Sequence, residues 1–163
     1  MTDEEANRAA LAFCEAKLQG SPKDGIYWIL KGNCHYRLGE LEEAAKAYSS
    51  AVEHGEVSSH ANFFMALCLI ELDRIPEAVT SLEAQLELTP DHPEALFLLG
   101  ICFKTQGEHG RGDKLIARVE DIAPGMYAEL YADYATALAE GVEDPLIRKG
   151  LEDAVRELRS RGE

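Results

Sequence analysis

Four cysteines, five histidines and one glycine-rich stretch are the residues of this chain whose types could do chemistry. Thiolates and imidazoles hold a metal ion when several converge at ligand spacing, and two thiols can oxidise to a disulfide. The spacing here supports neither. Cys34, Cys68 and Cys102 stand 34 residues apart, so they read as equivalents in successive structural units, each a small buried hydrophobe. Helices stacked side by side keep their axes about 8 to 10 Å apart, and a bridge needs Cα atoms within roughly 7 Å, which argues against disulfides along such a stack. Cys14 has no CxxC companion, and no histidine pair lies near it at ligand spacing. His35 and His54 fall on predicted helices, His60 and His92 at helix starts and His109 in a loop, as surface or capping residues.

The stretch GEHGRGDK, Gly107 to Lys114, combines three glycines with a lysine. A phosphate loop needs its lysine directly after the second glycine and a strand before the first, because the strand aims the loop amides at the phosphates. Asp113 occupies the lysine's place and both flanks read as helix, so no nucleotide site is expected. There is no nucleophile elbow, no HExxH and no carboxylate pair that helical geometry would isolate from the general acidity. The reading is therefore not an enzyme, with no cofactor and no metal.

The elements that would position any site show themselves through a repeat. Ala44, Ala78 and Gly112 follow one another at 34 residues; so do Gly32, Ala66 and Gly100, and Tyr48, Leu82 and Ile116. Small residues at two fixed places let paired helices approach, and the bulky one fills the remaining space. One such pair cannot hide its apolar face alone, so pairs must stack. The first unit carries Trp28, Lys31, Gly32, His35, Ala44 and Tyr48; the second Asn62, Met65, Ala66, Leu69, Ala78, Leu82 and Pro90; the third Leu96, Leu99, Gly100, Phe103, Gly112, Ile116 and Pro124. In period and in residue types the chain resembles the tetratricopeptide repeat, a helix-turn-helix unit of 34 residues. Lys31, His35 and Asn62 depart from that pattern, as does Glu56 where a proline is expected.

That resemblance implies an all-α fold, a right-handed superhelix of antiparallel helix pairs in a single domain. Residues 1–24 would form an N-terminal packing helix, 25–58, 59–92 and 93–126 three repeats, and 127–163 capping helices. Thr2 and Glu5 have capping-box spacing. Ala10 and Cys14 stand one period before Ala44 and Tyr48, so the first helix takes the place of a second helix whose partner is missing. Helices are expected from about Ile26 to Leu38, Leu41 to His54, Ser59 to Leu72, Ile75 to Leu88, Pro93 to Gln106, capped by Asp91, and Arg111 to Ile122, loosely begun. Met126 to Ala139 follows. Tyr134 then breaks the small-residue rule and ends the array, and Asp144 with Pro145 opens a last helix bearing Ile147, Leu151, Ala154 and Leu158 along one stripe.

Charge bounds the partners. Thirty acidic against 16 basic residues leave a formal charge of −14, which repels the phosphate backbones a nucleic-acid binder must neutralise. No run of about 18 apolar residues offers a membrane span, and the acidic start MTDEEANRAA is unlike a secretory signal, so a cytoplasmic location is expected. The resemblance implies a protein or peptide partner held on the concave side by first helices. Carried over by register, the inward residues are Ile26, Ile29, Asn33 and Tyr36; His60, Phe63, Leu67 and Ile70; and Glu94, Phe97, Ile101 and Lys104. Of the clamp with which related proteins grip acidic chaperone tails only Asn33 is kept, and the rest is mostly apolar. Two readings stay open: an adaptor, scaffold or chaperone-like module binding an apolar or amphipathic segment, or a homo-oligomeric scaffold whose groove is covered by its own termini or a second copy.

Overall fold

The computed structural model describes residues 2–55 and 60–140, with Arg156 and Ser160 beyond them. Among the described residues the elements are eight α-helices: α1 (Asp3–Gly20), α2 (Gly25–Arg37), α3 (Leu41–Glu53), α4 (Ala61–Glu71), α5 (Ile75–Leu88), α6 (Pro93–Thr105), α7 (His109–Ile122) and α8 (Pro124–Glu140). The stripe expected after Asp144 and the residue that replaces the first repeat's proline, Glu56, lie outside the described residues.

Local chemistry starts and stops these helices. The Thr2 hydroxyl accepts from the Glu5 amide at 3.2 Å while the Glu5 carboxylate accepts from the Thr2 amide at 2.7 Å, so two otherwise orphaned donors are satisfied. Asp24 caps α2 through the Ile26 amide. Asp91, the expected cap of α6, instead pairs with Arg118. His92 caps α6, its Nδ1 accepting from the Ala95 amide at 3.3 Å.

Between the two helices of each pair the chain turns at Gly39, Asp73 and Gly107, all with positive φ. The amides of Gly39, Asp73 and Gly107 donate to Tyr36, Ile70 and Lys104, and those of Glu40, Arg74 and Glu108 to His35, Leu69 and Phe103, at 2.8 to 3.0 Å. This is the double bond pattern that ends a helix through one left-handed residue. It recurs at the repeat's spacing and reverses the chain each time.

The chain divides into two compact units, Met1–Pro90 and Asp91–Glu163. In an array each helix meets only its neighbours, so a division falls between repeats. In the first unit α1 packs on α2, α2 on α3, α3 on α4 and α4 on α5. A Cβ at Gly32 would stand 2.6 to 2.9 Å from the Tyr48 ring, which is why that place is glycine. Tyr48, with no exposed surface, stacks on Phe64 at 5.8 Å and forms a core with Ala44, Ala45 and Cys68.

In the second unit α6 packs on α7, and both pack on α8. Here backbone meets backbone: a Cβ at Gly112 would lie 2.5 Å from the carbonyl oxygen of Gly100. Helix α7 starts at His109, two residues before the expected Arg111, so Gly110 and Gly112 are inside it. Its N-terminal turn is held by Arg111, whose guanidinium sits 3.8 Å from the Phe103 ring centroid and bonds Glu108 at 2.8 Å. Tyr134, too large for a helix-crossing point, packs edge-on against Phe97.

Candidate functional site

Helix α2 carries Ile26, Ile29, Asn33 and Tyr36 at three- and four-residue steps, the spacing of one helix face. Helix α4 carries Phe63, Leu67 and Ile70 in the same way, with His60 at its N-cap. All eight belong to the first unit. Ile26 is 58% exposed, His60 is exposed and the other six are half-buried. The Tyr36 hydroxyl donates to Glu71 at 3.0 Å, tying the end of α2 to that of α4. Burial, and next the Glu71 carboxylate, hold the Tyr36 phenol above its ordinary pKa, so it stays a neutral donor. Asn33 is held from below by the Tyr48 hydroxyl at 2.7 Å, which leaves its amide nitrogen as a donor. Phe63 meets Phe64 edge-on at 5.7 Å and His60 lies 6.3 Å from the same ring, so an aromatic cluster backs this face.

The second unit differs. Phe97, expected to line an open groove, is 3% exposed and sealed by Tyr131 and Tyr134, whose rings stand edge-on at 6.4 and 6.2 Å. It is core, because α8 brings two phenols where a guest's side chains would otherwise lie. Ile101, Glu94 and Lys104 are half-buried, and Lys104 is committed to Asp113 at 2.7 Å.

The chemistry-bearing residues also find their places. His35, expected at the surface, is buried, its Nδ1 2.7 Å from Glu40, and that bond together with Arg8 holds the Glu40 carboxyl below its usual range. All four cysteines are buried free thiols, and burial pushes Cys68 and Cys102 up to about 11. Cys14, which has no CxxC companion in the sequence, lies against Cys34 across the α1/α2 contact. Only the 34-residue register could have flagged this, since it aligns Cys14 with Tyr48, a residue that packs inward. Among the described residues no group of three or more His, Cys, Asp or Glu is arranged to hold a metal, and no helix is long and apolar enough to cross a membrane.

Comparison with known proteins bears on this arrangement. Residues 3–85, about half of the chain, match the family profile described as "Anaphase-promoting complex, cyclosome, subunit 3", and residues 65–126 match "Tetratricopeptide repeat". The cytochrome c-type biogenesis protein CycH of Rhizobium meliloti (strain 1021) is 26% identical over 117 residues, covering 70% of this chain but 31% of that protein. The chain thus spans about a third of that relative's length. Among solved structures the fold is similar to YrrB, described as a TPR protein with an unusual peptide-binding site, with a TM-score of 0.75 at 20% identity over 96% of this chain and 79% of that one. It is similar also to MamA from Desulfovibrio magneticus RS-1, with a TM-score of 0.71 at 17% identity over 96% and 83%. Helices in adjacent packed pairs, a 34-residue period and these matches agree. The chain belongs to the tetratricopeptide-repeat family, a class of protein-interaction modules, and its residues 3–85 fit the group described as anaphase-promoting complex, cyclosome, subunit 3.

Proposed function

We propose that the α2/α4 face of the first unit holds an apolar or amphipathic segment of a partner protein, making the chain an adaptor, scaffold or chaperone-like module. The observation that carries this reading is the pairing of apolar side chains with polar groups already oriented from below. Ile26, Ile29, Phe63, Leu67 and Ile70 supply apolar surface, while Tyr36 and Asn33 are fixed by Glu71 and Tyr48. Each apolar side chain fully buried by a guest contributes about 1.5 to 3 kcal/mol, and the fixed polar groups set register without a large ordering cost. The peptide-binding site in the name of the YrrB structure supports the same use of this fold.

The second reading, a face covered by the protein itself, is favoured for the second unit by the sealed Phe97. The test follows from that contrast. Ile29→Asp combined with Phe63→Asp, both on half-buried positions, should abolish capture of partners from a native lysate with the helical circular dichroism unchanged. A Leu88→Asp control, on an exposed position of α5, should capture them as before. Capture that survives the double substitution in a folded chain would refute the assignment.

A further inference from the structure

The first unit has another face, between α1 and α2, which shares Asn33 with the face described above. Ala10, Phe13 and Cys14 of α1 stand one period before Ala44, Ala47 and Tyr48 of α3, and Leu30, Cys34 and Arg37 of α2 one period before Phe64, Cys68 and Glu71 of α4. On α3 and α4 these positions form the seat of α2. Tyr48 closes on Gly32, Ala44 and Ala47 are 0% and 2% exposed, Phe64 stacks on Tyr48, and Glu71 accepts from Tyr36. On α1 and α2 the same positions line an open cleft of about 250 Å³. Cys14 and Cys34 make its buried floor, but Ala10 is exposed, Phe13 is 55% exposed and Leu30 42%. Ala10 and Phe13 are surface where Ala44 and Ala47, one repeat later, are core. The repeat has built a receptor for a first helix, and no described helix occupies it.

We propose that this α1/α2 cleft binds an amphipathic helix of a partner protein, seated where the first helix of a preceding repeat would lie. The seat dictates the guest's chemistry. Where Gly32 meets the Tyr48 ring in the occupied seat, the guest meets the smaller Cys14, and a small residue at that place lets the two helices approach closely. Apolar side chains cover Phe13 and Leu30. One turn beyond the small residue, where Tyr36 reaches Glu71 in the occupied seat, the guest meets Arg37 instead. That place therefore takes an acidic side chain. Asp3 borders the same end of the cleft, but among the described residues no carboxylate forms an ion pair with Arg37. Charge thus selects the guest, and shape admits any helix of this pattern.

The probe can be drawn from the chain itself. In α6, Gly100 is the small residue and Lys104 stands four residues on, as Tyr36 does after Gly32. A fluorescein-labelled peptide of residues 91–107 carrying Lys104→Glu should bind the full chain in an anisotropy titration at least tenfold tighter than the same peptide with Lys104 kept. Arg37→Glu in the full chain should reverse that order. Leu30→Glu should weaken the Glu peptide at least tenfold, and Phe63→Asp should leave it unchanged, each variant being checked for native circular dichroism. Equal binding of the two peptides, or an order that Arg37→Glu does not reverse, would overturn the proposal. So would loss of binding in Phe63→Asp but not in Leu30→Glu, which would move the guest to the α2/α4 face. A chain that sediments as a dimer and becomes a monomer on Leu30→Glu would likewise overturn it, by assigning the cleft to a second copy.

Discussion

Two glycines two residues apart in α7 have opposite consequences, because one meets a backbone and the other meets nothing. A Cβ at Gly112 would lie 2.5 Å from the Gly100 oxygen, whereas a Cβ at Gly110 has no atom within 4 Å. Gly112→Ala should therefore destabilise the chain by about 1 to 3 kcal/mol, the usual cost of forcing extra volume into a packed crossing. Gly110→Ala should stabilise it by about 0.5 to 1 kcal/mol, since alanine loses less backbone freedom in a helix. Urea unfolding of both variants checks this; equal effects would mean that the α6/α7 approach is looser than described. Buried thiols give a second prediction. Cys68 and Cys102 are raised from an ordinary 9.0 to about 11, so the folded state binds these protons more tightly than the unfolded one. Their contribution is complete below about pH 9 and is lost as pH rises towards 11. The thermal midpoint should fall across that window, and less steeply in a Cys68→Ala, Cys102→Ala double variant, whose slope isolates the thiols from the lysines and Tyr48.

At the scale of elements, the turn that ends each first helix is specified by one residue in the left-handed region, and Asp73 is the one that is not glycine. Aspartate tolerates that conformation where a β-branched residue does not. Asp73→Val should cost about 1 to 2 kcal/mol and Asp73→Gly should be neutral or stabilising, read from thermal midpoints against the same substitutions at the helical Glu77. Gly39 and Gly107 made this device readable at two of its three places, and aspartate hid the third. Helix pairing was readable throughout, because Gly32, Ala66 and Gly100 answer a local steric demand that composition cannot disguise. Burial of His35 was not, since its partner Glu40 lies beyond the turn and pairs only after the chain reverses. The sealing of Phe97 was hidden for a related reason. Tyr134 reads as the end of the small-residue pattern, and Tyr131, one period after Phe97, takes the same register place on the next first helix, which does not say that its ring covers Phe97. The α2/α4 residues were legible by register alone, which places side chains on a face but does not show which neighbours cover them.

Across the whole molecule the excess of acidic residues sets two electrostatic effects against each other. Ion pairs such as Lys31 with Glu15 and Arg8 with Glu4 and Glu40, at 3.1 to 3.3 Å, are attractive and short-ranged. The remaining formal charge of −14 repels itself over longer distances. Salt at 0.15 M screens beyond about 8 Å, so it removes most of the repulsion and little of the pairing. Raising sodium chloride from about 10 mM to 0.15 M should therefore raise the melting midpoint, by a few degrees for a chain of this size. Arg74 makes the prediction specific, because it bonds Glu42 on α3 and Glu77 on α5. Arg74→Gln leaves two acids, Glu42 and Glu77, without their cation and makes the net charge one unit more negative. Its midpoint should fall further below that of the unaltered chain at 10 mM than at 0.5 M salt, since screening supplies part of what the guanidinium supplied. A midpoint that drops with added salt in the unaltered chain would show that pairing, and not repulsion, governs its stability. A salt response unchanged by Arg74→Gln would place the relevant charge elsewhere on the surface.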